Sequence, residues 1–301
     1  MTAAPPVRRA WGLAAAVPVL FAAIAMLQVR IDAETRSIAR QPEKLVLSSG
    51  PMLKKMSLGY DSLLADIYWT RAVQYYGGKL QDLSRDFRLL PGLLDITTTL
   101  DPHLIVAYRF GAIFLSEPPP VGAGRPDLAT ELVKRGMAAN PDDWHLAADL
   151  GFLYYWHLKD YANASEAYLE ASKNPKAPGM MKIMAARIAQ KGGDLDTSIM
   201  IWAQYFKSSK DPQVRKTAQD HIEGLQAVKD ERAIDALSEK YRSRFGRDPA
   251  STKDLREAGM IPGIPVDPSG VPYAIGPDGK SRLGPHSTVR VEVPPKLSNE
   301  K

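Results

Sequence analysis

The chain has 301 residues, of which 45% are hydrophobic and 24% are charged. These values are typical of a globular protein and exclude a disordered chain or a polytopic membrane protein. Cysteine is absent, which excludes disulfides, thiolate metal sites and a cysteine nucleophile. The net charge of +5 lies at the ends: residues 1–40 and residues 279–301 each carry five basic and two acidic residues. Because nucleic-acid-binding proteins concentrate basic residues on a folded face, we expect no nucleic-acid partner.

An uncharged segment, residues 10–29, lies between Arg9 and Arg30. A helix of about 20 residues covers about 30 Å, the thickness of the hydrocarbon core of a bilayer. We therefore predict a transmembrane anchor over residues 10–29. A short tail over residues 1–9 precedes it, and a linker over residues 30–55 follows.

Two alternatives to the anchor stay open. The Ala-Ile-Ala sequence at 23–25 has the form of a cleavage site, which is typical of a signal peptide. The segment could also be a core helix of a soluble protein. For the anchor, Arg8 and Arg9 favour a cytoplasmic N-terminus. This predicts a single-pass protein of the inner (cytoplasmic) membrane with a periplasmic body.

The body of the chain is periodic. Four Asx-Pro pairs occur at separations of 39, 34 and 37 residues: Asp101-Pro102, Asn140-Pro141, Asn174-Pro175 and Asp211-Pro212. An Asn or Asp side chain satisfies backbone groups at a turn, and the proline ends one helix and begins the next. A period of this size predicts a solenoid of helix pairs.

Small and aromatic residues recur inside each period. In the clearest unit they form two helices joined at Asp160-Tyr161: Trp144, Leu150, Gly151 and Tyr154, then Ala164, Tyr168, Ala171 and Pro175. The small residues let two helices approach, and the aromatic residues fill the space between layers. This unit has one extra residue near Leu158. The preceding unit has a Pro- and Gly-rich insertion over 116–125, which predicts a loop.

These units resemble the tetratricopeptide-repeat (TPR) superfamily over roughly residues 60–212. A narrower resemblance, to bacterial membrane-anchored TPR proteins, depends on four motifs: Leu64-Ala-Asp-Ile-Tyr-Trp69, Gln74-Tyr-Tyr-Gly77, Leu94-Asp95 and Asp101-Pro102. The resemblance implies a right-handed superhelix of antiparallel helix pairs with a concave groove that holds peptides or partner proteins. It implies no catalytic activity.

Candidate groove residues lie on first helices, just off the predicted core face. They are His145, Ala148, Phe152 and Tyr155 in the clearest unit, and Met180, Ile183, Arg187 and Gln190 in the next. Arg187 could hold a carboxylate through two hydrogen bonds. The alternative is that Arg187 lies on a solvated face and that the aromatic residues belong to the core, because a stacked solenoid has little other core.

The C-terminal quarter differs from the repeats in its residue pattern. Residues 213–245 alternate charged and apolar residues at helical spacing, which predicts one amphipathic helix or a bent pair. Residues 246–283 are turn-rich, with a short helix ended by Gly259 and a hairpin across Pro277-Asp278-Gly279. From residue 284 to residue 301 we predict a flexible basic tail.

The string Tyr241–Tyr273 resembles the C-terminal motif of type II secretion major pseudopilins. The matched features are a Pro-Ser/Thr-x-x-Leu helix, a glycine, and Pro-x-Asp-Pro-x-Gly-x-Pro-Tyr. In that family the following loop can carry calcium ligands, but no acidic cluster follows Tyr273 here. The resemblance implies a packing role for a rigid turn formed by Pro265, Asp267, Pro268, Gly270 and Tyr273.

No motif for catalysis or cofactor binding emerges. The histidines, at 103, 145, 157, 221 and 286, lack the spacing of metal ligands. Residues 274–281 (AIGPDGKS) fit a permissive phosphate-loop pattern, but Gly284-Pro285 prevents the helix that such a loop needs. We expect no metal, cofactor or nucleotide, and no enzyme activity.

Together these features predict an all-α, TPR-type solenoid over residues 56–212, with an N-terminal transmembrane helix and a turn-rich C-terminal module. The predicted function is a membrane-tethered scaffold for protein–protein interaction, an adaptor or assembly factor of a bacterial envelope machine. Its expected partners are pilin-like, secretion or transport proteins. Two alternatives stay open: a self-associating structural envelope protein, and an enzyme subunit with an unrecognised site.

Overall fold

The computed structural model describes residues 20–30 and 49–291, and the chain divides into two units, Met1–Ser48 and Ser49–Lys301. In the first unit, residues 20–30 form helix α1, whose side chains are exposed. The first half of the predicted anchor lies outside the described residues. Within the described ranges, no helix is both long and apolar enough to span a bilayer.

The second unit is built almost entirely from helices. They are α2 (Gly50–Met56), α3 (Asp61–Gln81), α4 (Leu90–Leu100), α5 (Ile105–Ser116), α6 (Pro126–Ala139), α7 (Trp144–Leu153), a π-helical turn (Tyr154–Leu158), α8 (Tyr161–Ala171), α9 (Met180–Lys191), α10 (Leu195–Ser208), α11 (Pro212–Phe245) and α12 (Thr252–Glu257). Helix α2 lies almost wholly within residues 30–55, the segment predicted to be a linker. It is supported there by packing on α4.

Helices α3 to α10 pack as four consecutive pairs, α3 with α4, α5 with α6, α7 with α8, and α9 with α10. Each pair also contacts the next, through α4 and α5, α6 and α7, and α8 and α9. Buried side chains between the helices include Tyr108, Leu146 and Trp202. The predicted tandem array of helix pairs is confirmed.

The Asx-Pro pairs connect neighbouring repeats. Asn140 Nδ2 donates to the carbonyl of Pro102 at 2.9 Å, and Asn174 Nδ2 donates to the carbonyl of Asp142 at 2.8 Å. Asp211 instead caps α11, since its side chain accepts from the backbone N–H of Gln213. Asn140 and Asn174 therefore each satisfy a backbone group in the preceding repeat. These hydrogen bonds link neighbouring helix pairs at the positions where the sequence period repeats.

The extra residue near Leu158 is accommodated by the π-helical turn. The backbone N–H of Lys159 donates to the carbonyl of Tyr154, five residues earlier, and Lys159 itself adopts a left-handed conformation with φ 56°. A π-helical turn adds a residue without ending the helix. The insertion therefore changes which side chains face outward at the end of α7.

Helix α11 continues unbroken over 34 residues, and the C-terminal module packs on it. The module consists of α12 and an antiparallel hairpin of β1 (Ala274–Ile275) and β2 (Ser281–Arg282). Its core joins Ile234 and Tyr241 of α11 to Leu255 and Tyr273. The predicted short helix and hairpin are both present.

The turn over 265–273 is held by Asp267. Its Oδ1 accepts from the backbone N–H groups of Ser269 and Val271, each at 2.9 Å. The Tyr273 hydroxyl donates to Asp230 Oδ2 on α11 at 3.0 Å, and burial followed by this hydrogen bond raises the pKa of Tyr273. The rigid turn is therefore present, while the relation to pseudopilins stays a prediction.

The described part of the predicted flexible tail, residues 284–291, packs on the rest of the unit. A Cβ placed on Gly224 of α11 would lie 2.4 Å from the carbonyl oxygen of Arg290. Val291 and Arg290 border a small cavity with Gln190 and His221. We call residues 284–291 the strap. The rest of the predicted tail lies outside the described residues.

Candidate binding surface

The first helices of the pairs carry exposed apolar side chains. Five of these, with exposed fractions of 44–59%, are Phe110 and Ile113 on α5, Phe152 on α7, Trp156 on the π-helical turn and Met180 on α9. We call these five residues the first-helix surface. Helices α5 and α7 contact each other, and Arg109 Nε lies 2.6 Å from Asp149 Oδ2 across them. Exposed apolar side chains grouped on neighbouring elements are typical of interaction sites.

The π-helical turn places Trp156 beside Phe152. Their rings stack with centroids 6.3 Å apart and an interplanar angle of 8°. The Nζ of Lys159 lies 5.0 Å from the centroid of the Trp156 ring. Trp156 is not among the predicted groove residues, because a regular helical register does not place it on the outward face. The extra residue near Leu158 was the available signal that this register changes.

A fixed loop lies beside this surface. It is the insertion between α5 and α6, and its Ala123 and Arg125 N–H groups donate to the carbonyls of Phe114 (3.0 Å) and Leu115 (2.7 Å). Tyr76 of α3 donates its hydroxyl to the carbonyl of Val121 at 2.9 Å and stacks on Phe114. The predicted insertion is therefore a loop, and it is rigidly attached to α3 and α5.

His157 connects the insertion to the π-helical turn. Its Nε2 lies 3.9 Å from Glu117 Oε1 and, among the described residues, has no hydrogen-bond partner. Burial lowers the pKa of His157 below its ordinary value of 6.5, although the Glu117 charge opposes this shift. The imidazole is therefore held mainly in its neutral form at neutral pH.

The predicted groove residues of α7 differ in their surroundings. Phe152 is exposed. His145 is half-buried, stacks on Trp144, and its Nδ1 lies 2.8 Å from Asp143 Oδ1. Ala148 and Tyr155 pack against the core of the α7–α11 region, and the Tyr155 hydroxyl accepts from Lys191 Nζ at 2.8 Å. Phe152 is thus the predicted aromatic residue of α7 that is most available to a partner.

The four predicted residues of α9 are also divided. Met180 is 59% exposed and Arg187 is exposed, whereas Ile183 packs against the core. Gln190 borders the cavity under the strap, together with Arg290. A role for any of these residues in binding a partner stays a prediction.

Charged side chains of both signs lie around the α7–α9 part of the surface. Lys159 and Arg187 are exposed, and a hydrogen bond from Lys191 to Tyr155 raises the pKa of Lys191. Of the acidic side chains, Asp149 is paired with Arg109, and Glu117 lies 3.9 Å from the neutral His157. Lys159, over the Trp156 ring, is the basic side chain that an acidic group of a partner would meet at the aromatic pair.

No metal centre is found where the structure describes the chain. Within residues 20–30 and 49–291, no group of three or more His, Asp or Glu side chains could hold a metal ion.

No protein-family model and no curated protein matches the sequence. Among solved structures, the chain is similar to PilW, described as a widely conserved type IV pilus biogenesis factor. The similarity covers 66% of this chain and 88% of that chain, with 16% sequence identity and a TM-score of 0.31. A likeness at this level identifies no function for this chain.

Proposed function

We propose that the protein is a membrane-tethered scaffold that binds partner proteins through its first-helix surface. The observation that carries the proposal is the stacked pair Phe152 and Trp156, both about half exposed, with Phe110 and Ile113 also exposed on the contacting helix α5. Rigid, exposed aromatic residues are typical anchors of protein interfaces. Two stacked and exposed aromatic rings form an apolar patch of the kind that marks an interaction site.

The partner that fits is a protein segment with apolar side chains and a net negative charge. The aromatic pair offers apolar contact area, while Lys159, over the Trp156 ring, provides positive charge. The insertion loop borders the surface and is already fixed by its hydrogen bonds to α5. A preformed surface loses less conformational entropy when it binds, which favours affinity.

The cellular setting of the proposal depends on the sequence. The uncharged segment over 10–29 supports an anchor in the inner membrane, and Arg8 and Arg9 support a periplasmic body. A scaffold held there would serve as an adaptor or assembly factor of an envelope machine. Pilin-like, secretion and transport proteins are the partner classes to be tested.

The test is crosslinking and affinity capture of the full chain from bacterial membranes, with captured proteins identified by mass spectrometry. The variant Phe152→Ala/Trp156→Ala removes the aromatic pair. The matched control is Phe245→Ala, because Phe245 at the end of α11 is 46% exposed, close to the 44% of Phe152. We expect at least a tenfold loss of the captured partner for the first variant, from about 2 kcal/mol per anchor, and no loss for the control.

Equal capture by the two variants would refute a binding role for the aromatic pair. Light scattering of the purified chain in detergent separates this scaffold from a self-associating protein. If the main species captured is a second copy of the chain, and the aromatic variant alone becomes monomeric, the surface serves self-association and the proposed scaffold is wrong.

A further inference from the structure

A second exposed apolar group lies at the corner between α2 and α3, far from the aromatic pair in sequence. It consists of Met52, Met56, Leu58, Tyr60 and Leu63, with exposed fractions between 54% and 89%. We call these five residues the α2–α3 corner. They fall within twelve consecutive positions, whereas the first-helix surface gathers its residues from several repeats.

The corner is a turn whose backbone is fixed by hydrogen bonds. The hydroxyl of buried Ser57 donates to the Lys54 carbonyl at 2.8 Å, and also to Asp61. The Tyr60 N–H donates to the Ser57 carbonyl at 2.9 Å. On the other side, α2 packs on α4, where Lys54 Nζ donates to the Thr99 carbonyl at 3.3 Å. The exposed side chains therefore project from a rigid support.

Leu58 lies at the tip of this turn. It is 89% exposed and adopts a left-handed conformation with φ 52°, followed by Gly59 with φ 92°. Glycine or asparagine fits such a position with less strain, and a polar residue would suit its exposure. Leu83 shares this exposure and this backbone conformation, so the inference of contact with an apolar medium depends on the group of exposed side chains around Leu58.

The charge and the residue types of the corner indicate which apolar medium it contacts. Residues 52–63 contain Lys54, Lys55 and one acidic residue, Asp61, which accepts from the Ser57 hydroxyl, and both lysines are exposed. Lysine side chains beside apolar ones can reach phosphate groups while their stems remain in an apolar layer. Tyrosine is enriched at the boundary between lipid and water. Apolar side chains flanked by lysine and tyrosine are typical of segments that lie in a membrane interface.

We propose that the α2–α3 corner inserts into the surface of an anionic lipid bilayer. Leu58, Met56 and Tyr60 enter the headgroup and upper acyl region, while Lys55 lies at the phosphate level and Lys54 keeps its hydrogen bond to the Thr99 carbonyl. The inference rests on the proposed membrane tether, which keeps the body close to the bilayer.

The absence of cysteine allows a site-specific test in the full chain. Leu58→Cys and Leu83→Cys are each labelled with bimane and reconstituted in vesicles of phosphatidylethanolamine and phosphatidylglycerol with brominated acyl chains. Leu83 is a close control, since it is 73% exposed with φ 48° at the other end of α3. Its neighbours include Asp82 and Arg85 instead of exposed apolar residues. Helix α3 separates the two positions by about 30 Å.

We expect the bromolipid to quench most of the bimane emission at position 58 and little at position 83. Replacing phosphatidylglycerol with phosphatidylcholine should reduce the quenching at position 58, because Lys55 loses its anionic partners. Equal quenching at both positions, or none at position 58, overturns the proposal. Protection of position 58 from iodide in water without bromolipid quenching also overturns it, since a protein then covers the corner.

Two further measurements separate this proposal from the proposed function. Flotation of the unlabelled chain with the vesicles tests the tether itself, and circular dichroism checks that each cysteine variant keeps its helices. A chain that floats without quenching at position 58 loses only the corner contact. A chain that does not float contradicts the tether, while capture by the first-helix surface is measured independently.

Discussion

Gly224→Ala tests whether the strap is part of the folded structure. Gly224 lies inside α11, where glycine is usually less stable than alanine by about 1 kcal/mol. A Cβ at this position would lie 2.4 Å from the carbonyl oxygen of Arg290 and 3.6 Å from the Cα of Val291. The close approach of the strap therefore explains why a glycine occupies the helix interior.

The expected effect is a balance of two terms. Alanine stabilises α11 by about 1 kcal/mol, but a methyl group against a backbone carbonyl overpacks the contact by about 1–3 kcal/mol. If the strap stays in place, the free energy of unfolding should therefore fall by zero to about 2 kcal/mol. The matched control is Gly78→Ala in α3, because a Cβ on Gly78 meets no atom within 4 Å. That variant should gain up to about 1 kcal/mol.

Thermal unfolding and trypsin digestion together decide the result. For a domain of this size, 1 kcal/mol shifts Tm by about 2–4 °C, so Gly78→Ala should melt higher and Gly224→Ala lower or unchanged. Trypsin should cleave after Arg290 faster in Gly224→Ala than in the unmodified chain, because the strap lifts from α11. A Gly224→Ala protein that gains as much stability as Gly78→Ala, with unchanged cleavage at Arg290, would refute the packing of the strap.

The remaining predictions concern the repeats and the insertion. Gly151→Leu should lower the free energy of unfolding by at least about 1–3 kcal/mol, because even a Cβ would lie 2.7 Å from the Tyr168 ring. His145→Ala should have little effect. Equal melting points for the two variants would contradict the helix register. Because His157 has a lower pKa folded than unfolded, the unfolded chain binds more protons between these values, and stability should fall as the pH drops below about 6.5. Urea titrations at several pH values should show this loss, and His157→Phe should remove it.

The helix pairs could be predicted from the sequence because their signals are local and repeated. The Asx-Pro pairs fix where helices end, and the small residues fix which faces meet. Gly151 shows the second point, since it lies against Tyr168 as the spacing of the clearest unit required. Local turn chemistry also made the C-terminal hairpin predictable, because Pro277-Asp278-Gly279 favours a tight reversal.

The features that the sequence did not reveal depend on contacts between distant residues. Helix α2 has seven residues, a length that is marginal in isolation, and it is supported by packing on α4. The strap follows a segment rich in proline and lies on α11 through a glycine more than sixty positions away. The exposure of Trp156 depends on the π-helical turn, and the half-burial of Tyr155 depends on Lys191 of the next repeat.

The distribution of polar and apolar side chains supports a function carried by surfaces. Buried hydroxyl groups serve helix packing: Ser165 donates to the Ala185 carbonyl at 2.9 Å, and Ser198 donates to the Ala186 carbonyl at 2.8 Å. Folding accounts for these groups, since a buried donor needs an acceptor. It does not account for Leu58 or Trp156, whose exposure to water is unfavourable. In the described parts of the chain, these exposed apolar side chains support the proposed binding role, because contact with a partner removes them from water.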